Sequence, residues 1–182
     1  MSQITQTHKY NLLKLARKTI EEHLFKESNI ELKLEDPIYQ EEKGCFVTIH
    51  KKGNLRGCIG IVDAIYPVIK VVEQMAYSSA FRDPRFQPLT ENEYPDIDIE
   101  ISLLSKPYAI DSPDDIIIGK HGLIISYQGQ KGLLLPQVAT EHQWDVETFL
   151  NHTCLKASLP VDKWKKGANI EVFDAIVFGE NE

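Results

Sequence analysis

The stretch CFVTIHKKGNLRGCIGIV, residues 45 to 62, constrains this chain more than any other. β-Branched and aromatic residues lead to a polar turn around Gly53-Asn54, and a second apolar run follows; this is the pattern of a β-hairpin. Its second strand contains LRGCIG, residues 55 to 60, which places a glycine on each side of Cys58. Glycine weakens a strand interior, because it adds backbone entropy and offers no side chain to pack. Two of them imply a close approach to the thiol by a substrate, a partner or the protein's own backbone.

The flanking sequence sets the class. Leu12, Leu15, Ala16, Ile20 and Leu24 recur at helical spacing and predict an amphipathic helix over residues 8 to 26. SNIELKLEDP reads as a polar link able to hold a short strand. A helix over 67 to 82 follows the hairpin, with Val68, Val71, Val72, Met75 and Ser79 on one face and Asp83-Pro84 as its stop. IDIEISLL alternates as a strand, with Ile97, Ile99, Ile101 and Leu103 inward. Residues 116 to 138 supply two or three short strands. A helix over about 145 to 157, N-capped by Asp145, and a closing strand NIEVFDAIVF complete the chain.

FVTIHKKGNLRGCIGI and LIISYQGQKGLLLPQV share one plan, and each leads to an amphipathic helix. Both run from an apolar strand through a polar turn and a glycine to a second apolar strand. The fold expected is α+β: a mostly antiparallel sheet made of two hairpin-plus-helix repeats, with helices packed outside. One domain over residues 1 to 182, or two interlocked lobes, fits the length.

Several function classes lose support. The formal charge of −7 disfavours nonspecific nucleic-acid binding, which requires phosphate neutralisation. No apolar run reaches the roughly 20 residues of a membrane span, and the N-terminus lacks the apolar core of a secretory signal. Three widely spaced cysteines form neither a disulfide framework nor a CxxC site, so a reduced, cytoplasmic protein is expected. No metal-ligand spacing, P-loop or GxGxxG is present, and no cofactor is expected. GKHG, residues 119 to 122, mimics the GxxG loop of a KH domain, but it joins strands in an acidic chain.

Strict alternation places Arg56, Cys58 and Gly60 on one face of their strand, with Leu55, Gly57, Ile59 and Ile61 toward the core. A guanidinium about 7 Å from the thiol favours a thiolate by roughly 2 kcal/mol at an effective dielectric near 20, and by about 0.6 in bulk water. Cys58 is therefore either a packing residue or a reactive thiol. A catalytic thiol also needs a base, and among six histidines His121, in its glycine-flanked turn, is the one expected at a surface. Arg82, Asp83 and Arg85 of RDPRF, with Arg56, Asp98 and Glu100, form either an ion-pair network lining a groove or a structural latch.

FVTI, LRGCIG, DPRFQPLT, IEISLLS, IGKHGLIIS, KGLLLPQVA, WDVETFL, CLKASLP and VFGE occur in this order along nearly the whole chain. The set resembles the AMMECR domain family, whose prokaryotic members are also called AmmeMemoRadiSam system protein A. One departure is Ser158, where the family pattern reads KAGLP. The resemblance implies an α+β fold of two related hairpin-and-helix units around a barrel-like sheet. It also implies a groove around Arg56, Cys58, Asp83, Arg85 and Glu100, to which Gly57, Gly60 and His121 are added. It supplies no settled reaction. The expectation is an intracellular accessory or partner-binding protein working with Memo-type and radical SAM proteins. The alternative is a cysteine-dependent enzyme using Cys58, with Arg56 as thiolate or anion stabiliser.

Overall fold

The computed structural model describes residues 4–181. They form helices α1 (Gln6–Phe25), α2 (Val68–Phe81), α3 (Pro136–Glu141) and α4 (Val146–Lys156). The strands are β1 (Gly44–Lys51), β2 (Asn54–Ile61), β3 (Ile97–Leu104), β4 (Tyr108–Ala109), β5 (His121–Tyr127), β6 (Gln130–Leu134) and β7 (Asn169–Gly179). Strand order is β2-β1-β3-β7-β5-β6, with β4 on β7, and the described pairings are antiparallel. The chain thus has the expected α+β fold with a barrel-like antiparallel sheet.

Two compact units divide the chain: residues 1–104 with 176–182, and Ser105–Ala175. In the first, Cys45, Val47 and Ile49 of β1 and Ile97, Ile99, Ile101 and Leu103 of β3 bury against the apolar faces of α1 and α2. Alternation puts these residues on one face of the sheet and Phe46, Thr48, His50, Asp98, Glu100 and Ser102 on the other. In the second unit, Leu123, Ile125, Phe149, Leu150, Cys154 and Val172 form a separate core.

The two hairpins are built alike. Lys52-Gly53 and Gln128-Gly129 each form a two-residue turn with both φ values positive, the geometry that matches strand twist. The first turn thus lies one residue earlier than expected. Gly57 of β2 lies against the α2 backbone, and Gly132 of β6 lies against the backbone at the end of α4. An added Cβ would come within 2.1 Å of Ser79 O and 2.2 Å of Ala157 N, respectively. Aromatic rings cover a second glycine in each unit, Phe46 over Gly60 and Phe173 over Gly122.

Some elements differ from expectation. In SNIELKLEDP, Ile30, Leu32 and Leu34 are half-buried, but no strand forms there. Asp36 instead caps a 3-10 turn, accepting the Ile38 N–H at 3.0 Å. Pro136 opens the short helix α3, because its missing N–H costs nothing in a first turn. Asp145 caps α4 as expected, accepting the Thr148 N–H at 2.8 Å.

Ser158 follows α4 with φ of 59°, the left-handed region where glycine carries no Cβ penalty. Its side chain is exposed, so Ser158→Gly is expected to stabilise the protein by about 0.5–1 kcal/mol. Urea titration reads this as a higher midpoint at an unchanged slope.

Candidate functional site

The site is built on β2, at the edge of the first unit's sheet. β1 and β2 pair Lys51 with Asn54 and His50 with Leu55, but then Ile49 with Gly57 and Thr48 with Cys58. Arg56 is therefore the extra residue of a β-bulge. The bulge overturns strict alternation. Leu55 shares the face of His50 and stands 43% exposed instead of entering the core. Gly57, Ile59 and Ile61 keep the core side, and Cys58 sits half-buried beside Thr48 on the opposite face.

The close approach implied by the two glycines is made by the protein itself. Gly57 admits the α2 backbone, as described above, and this brings buried Ser79 into the hairpin. The Ser79 hydroxyl accepts the Ile59 N–H at 2.8 Å and donates to the Val47 carbonyl at 2.7 Å, bridging β1 and β2. Gly60 opens no hollow beside the thiol, because the Phe46 ring lies over it.

Asp83 and Arg85 act on β2 as a neighbouring strand would. The Asp83 carboxylate accepts the Cys58 N–H at 2.9 Å, while the Arg85 guanidinium donates to the Cys58 carbonyl at 3.1 Å. Arg85 also grips both Asp83 oxygens, at 2.9 and 2.7 Å. The Asp83 side chain is only 1% exposed. Hydrogen bonds from Arg85, then from the Cys58 N–H, hold its carboxyl well below the usual range despite the opposing cost of burial.

Arg56 swings to the loop after α2. It meets both Glu93 oxygens at 3.0 Å and donates to the Gln87 carbonyl at 2.9 Å. Lys51 joins the same Glu93 at 3.0 Å. Hydrogen bonds from Arg56, then Lys51, depress the Glu93 carboxyl strongly. The Phe86 ring is flanked by both guanidiniums, centred 5.8 Å from Arg56 and 5.5 Å from Arg85. The ion-pair partner of Arg56 is thus Glu93, a residue outside the expected grouping of Arg56 with Asp83, Asp98 and Glu100.

The Thr48 hydroxyl donates to Cys58 Sγ at 3.3 Å. Glu100 lies opposite Thr48 on its other side, so Cys58, Thr48 and Glu100 form one cross-strand row. This row ends at a hollow of about 300 Å³ lined by His50, Asp98 and Glu100 together with Gly179, Glu180 and Asn181. No histidine or carboxylate hydrogen-bonds to the sulfur among the described residues. No group of three or more His, Cys, Asp or Glu suited to a metal occurs among them either.

His121 belongs to the other unit. It begins β5 in the second unit and is 4% exposed, against the expectation of a surface position. Burial is tolerated because both ring nitrogens have partners: the Ile117 N–H at 3.2 Å and the Tyr108 hydroxyl at 3.4 Å.

A family model described as AMMECR1 matches residues 13–178. The chain belongs to the AMMECR1 family. A protein of Methanothermobacter thermautotrophicus is 44% identical over 178 residues, covering 93% of both chains. One from Methanocaldococcus jannaschii is 46% identical over 154 residues, covering 80% of this chain and 77% of its own. The crystal structure of an uncharacterised protein from Pyrococcus horikoshii superposes with a TM-score of 0.84 at 39% identity, covering 93% of this chain and 89% of its own. Among the described residues of this AMMECR1-family chain, no helix is long and apolar enough to cross a membrane.

Thr48, Ser79, Phe86 and Glu93 were not singled out from sequence. Ser79 was readable as a helix-face residue, but its hydroxyl's place in the hairpin was not. Glu93 lies 37 positions from Arg56, in a loop already rich in acidic residues, and nothing local distinguishes it.

Proposed function

We propose that this chain is an accessory, partner-binding protein, and that a partner docks on the β2-β1-β3 face carrying Leu55, Cys58, Thr48 and Glu100. One observation carries the reading: the charges beside Cys58 are already committed to the scaffold, Arg56 to Glu93 and Arg85 to Asp83, and the sulfur has a hydroxyl neighbour where a nucleophile needs a base. Beside these committed charges lies a half-open strand face next to a hollow lined in part by His50 and Asp98, a surface on which a partner segment can rest. The family association nominates Memo-type and radical SAM proteins as partners.

The test is affinity of purified Memo-type and radical SAM proteins for wild type, Cys58→Gln and Thr48→Arg. Both changes lie on the half-buried face, so stability is expected to fall by only about 1 kcal/mol while affinity drops at least about tenfold. Undiminished affinity in folded variants contradicts the reading.

A second reading, a cysteine-dependent enzyme, is favoured by one contact. Arg85, not Arg56, is the guanidinium held against Cys58, through the Cys58 carbonyl at 3.1 Å; it is 53% exposed, and its hydrogen bond to Asp83 keeps its pKa raised. Under that reading iodoacetamide labels Cys58 rapidly at neutral pH, and Arg85→Ala slows the labelling. Slow labelling that Arg85→Ala leaves unchanged rejects it.

A further inference from the structure

The first unit carries a cavity of about 530 Å³ between α1 and the end of β7, lined by Gln6, Lys9, Tyr10, Leu13, Lys14 and Arg17 together with Phe178, Gly179 and Glu180. At 3.6 residues per turn, Gln6, Tyr10, Leu13 and Arg17 form one stripe along α1, and Lys9 and Lys14 flank it on opposite sides. The floor is apolar: Leu13 and Phe178 are buried, and Tyr10 stands 61% exposed at the edge.

The charged groups of this cavity divide into two kinds. Arg17 and Glu180 neutralise each other through two hydrogen bonds, at 2.5 and 2.6 Å, and Glu180 also accepts the Ile99 N–H at 2.9 Å. Glu180 therefore presents little net charge to the cavity. Lys9 and Lys14 are half-buried and make no ion pair with any described carboxylate. Their ammonium groups rest on aromatic rings, Lys9 at 5.7 Å from the Phe178 centroid and Lys14 at 5.4 Å from that of Tyr10. Two cations that make no ion pair among the described residues thus stand beside an apolar floor, on a chain of net charge −7. Their complement is an anion attached to an apolar body, and the volume falls in the range of small-molecule sites.

We propose that this cavity binds a small amphipathic carboxylate. Its apolar body rests on Leu13, Tyr10 and Phe178, and its anionic end lies between Lys9 and Lys14. The inference does not rest on the docking face around Cys58: Lys9, Tyr10, Leu13, Lys14 and Phe178 lie outside it, and the hollow beside that face shares only Gly179 and Glu180 with this cavity.

Backbone amide NMR shifts of the full chain, titrated with 1-naphthylacetate, test it. The expected result is saturable shifts within Gln6–Arg17 and at Phe178, Gly179 and Glu180. Binding of the neutral amide 1-naphthylacetamide, or of the acid to Lys9→Gln/Lys14→Gln, is expected to be at least about tenfold weaker, as loss of charge-assisted contacts requires. An unchanged spectrum of the unliganded double variant away from α1 establishes that it folds. Absence of saturable shifts up to the solubility limit, shifts centred elsewhere, or equal affinity for acid and amide overturns the proposal. So does an acidic, aromatic peptide that saturates the same amides when naphthylacetate does not.

Discussion

Gly57→Ala is expected to destabilise the protein by about 3 kcal/mol or more, which in a domain of this size lowers Tm by roughly 10 °C. The new methyl would lie 2.1 Å from the carbonyl oxygen of Ser79, which is helix backbone and cannot swing aside like a side-chain tip. Relief requires α2 to lift from β2, which withdraws the Ser79 hydroxyl from Ile59 and Val47. Gly53→Ala separates this effect from the general cost of replacing a glycine. Gly53 has φ of 79° and nothing within 4 Å of an added Cβ, so only backbone strain of about 1 kcal/mol is expected. Thermal or urea unfolding of the two variants should rank them in that order.

Asp83→Asn is expected to cost about 2–3 kcal/mol, less than a wholly buried pair because Arg85 is half exposed and regains water. The amide can still accept one N–H, but it presents a donor to Arg85 and loses the charge. A pH dependence distinguishes this loss from simple repacking. The folded Asp83 and Glu93 carboxyls both titrate below their unfolded values. Their contribution is therefore complete above the ordinary carboxylate pKa of about 4 and is lost as pH falls through the folded values. Wild type should weaken steeply on acidification, and Asp83→Asn should show a shallower acid limb, to which Glu93 and the depressed carboxyls of Asp36, Asp145 and Asp162 still contribute. Equal acid slopes in the two proteins contradict the latch.

Much of this fold was legible because the residues that decide it act locally. The alternation of IDIEISLL, the helical spacing of Leu12 to Leu24 and the Asp145 cap each state a local preference that tertiary packing reinforces. The Gly57–Gly132 correspondence was visible as a repeat, and both glycines turn out to admit a helix backbone. The site was less legible, for one geometric reason. Counting back from the Lys52-Gly53 turn sets Cys58 opposite Val47, whereas the bulge at Arg56 sets it opposite Thr48. A single inserted residue therefore decided the neighbours of the thiol, the exposure of Leu55 and the direction of Arg56. The bulge itself is fixed by contacts to Glu93 and Gln87, far along the chain, which no local pattern encodes. The burial of His121 was illegible for a related reason: it depends on Tyr108 and the Ile117 N–H, and a glycine-flanked histidine does not announce such partners.

Asp83 and Arg85 hold the backbone of Cys58, and the side chain lies half-buried on the face proposed above for partner docking. Mass-spectrometric iodoacetamide labelling of the three cysteines, with and without the radical SAM protein, tests this most directly. Cys45 and Cys154 are fully buried and serve as internal references; burial also pushes both thiols above their ordinary pKa. Cys58 is predicted to label faster than either and to be slowed by the partner, with the references unaffected. A Cys58 as unreactive as Cys45, or one whose labelling rate ignores a bound partner, would contradict it.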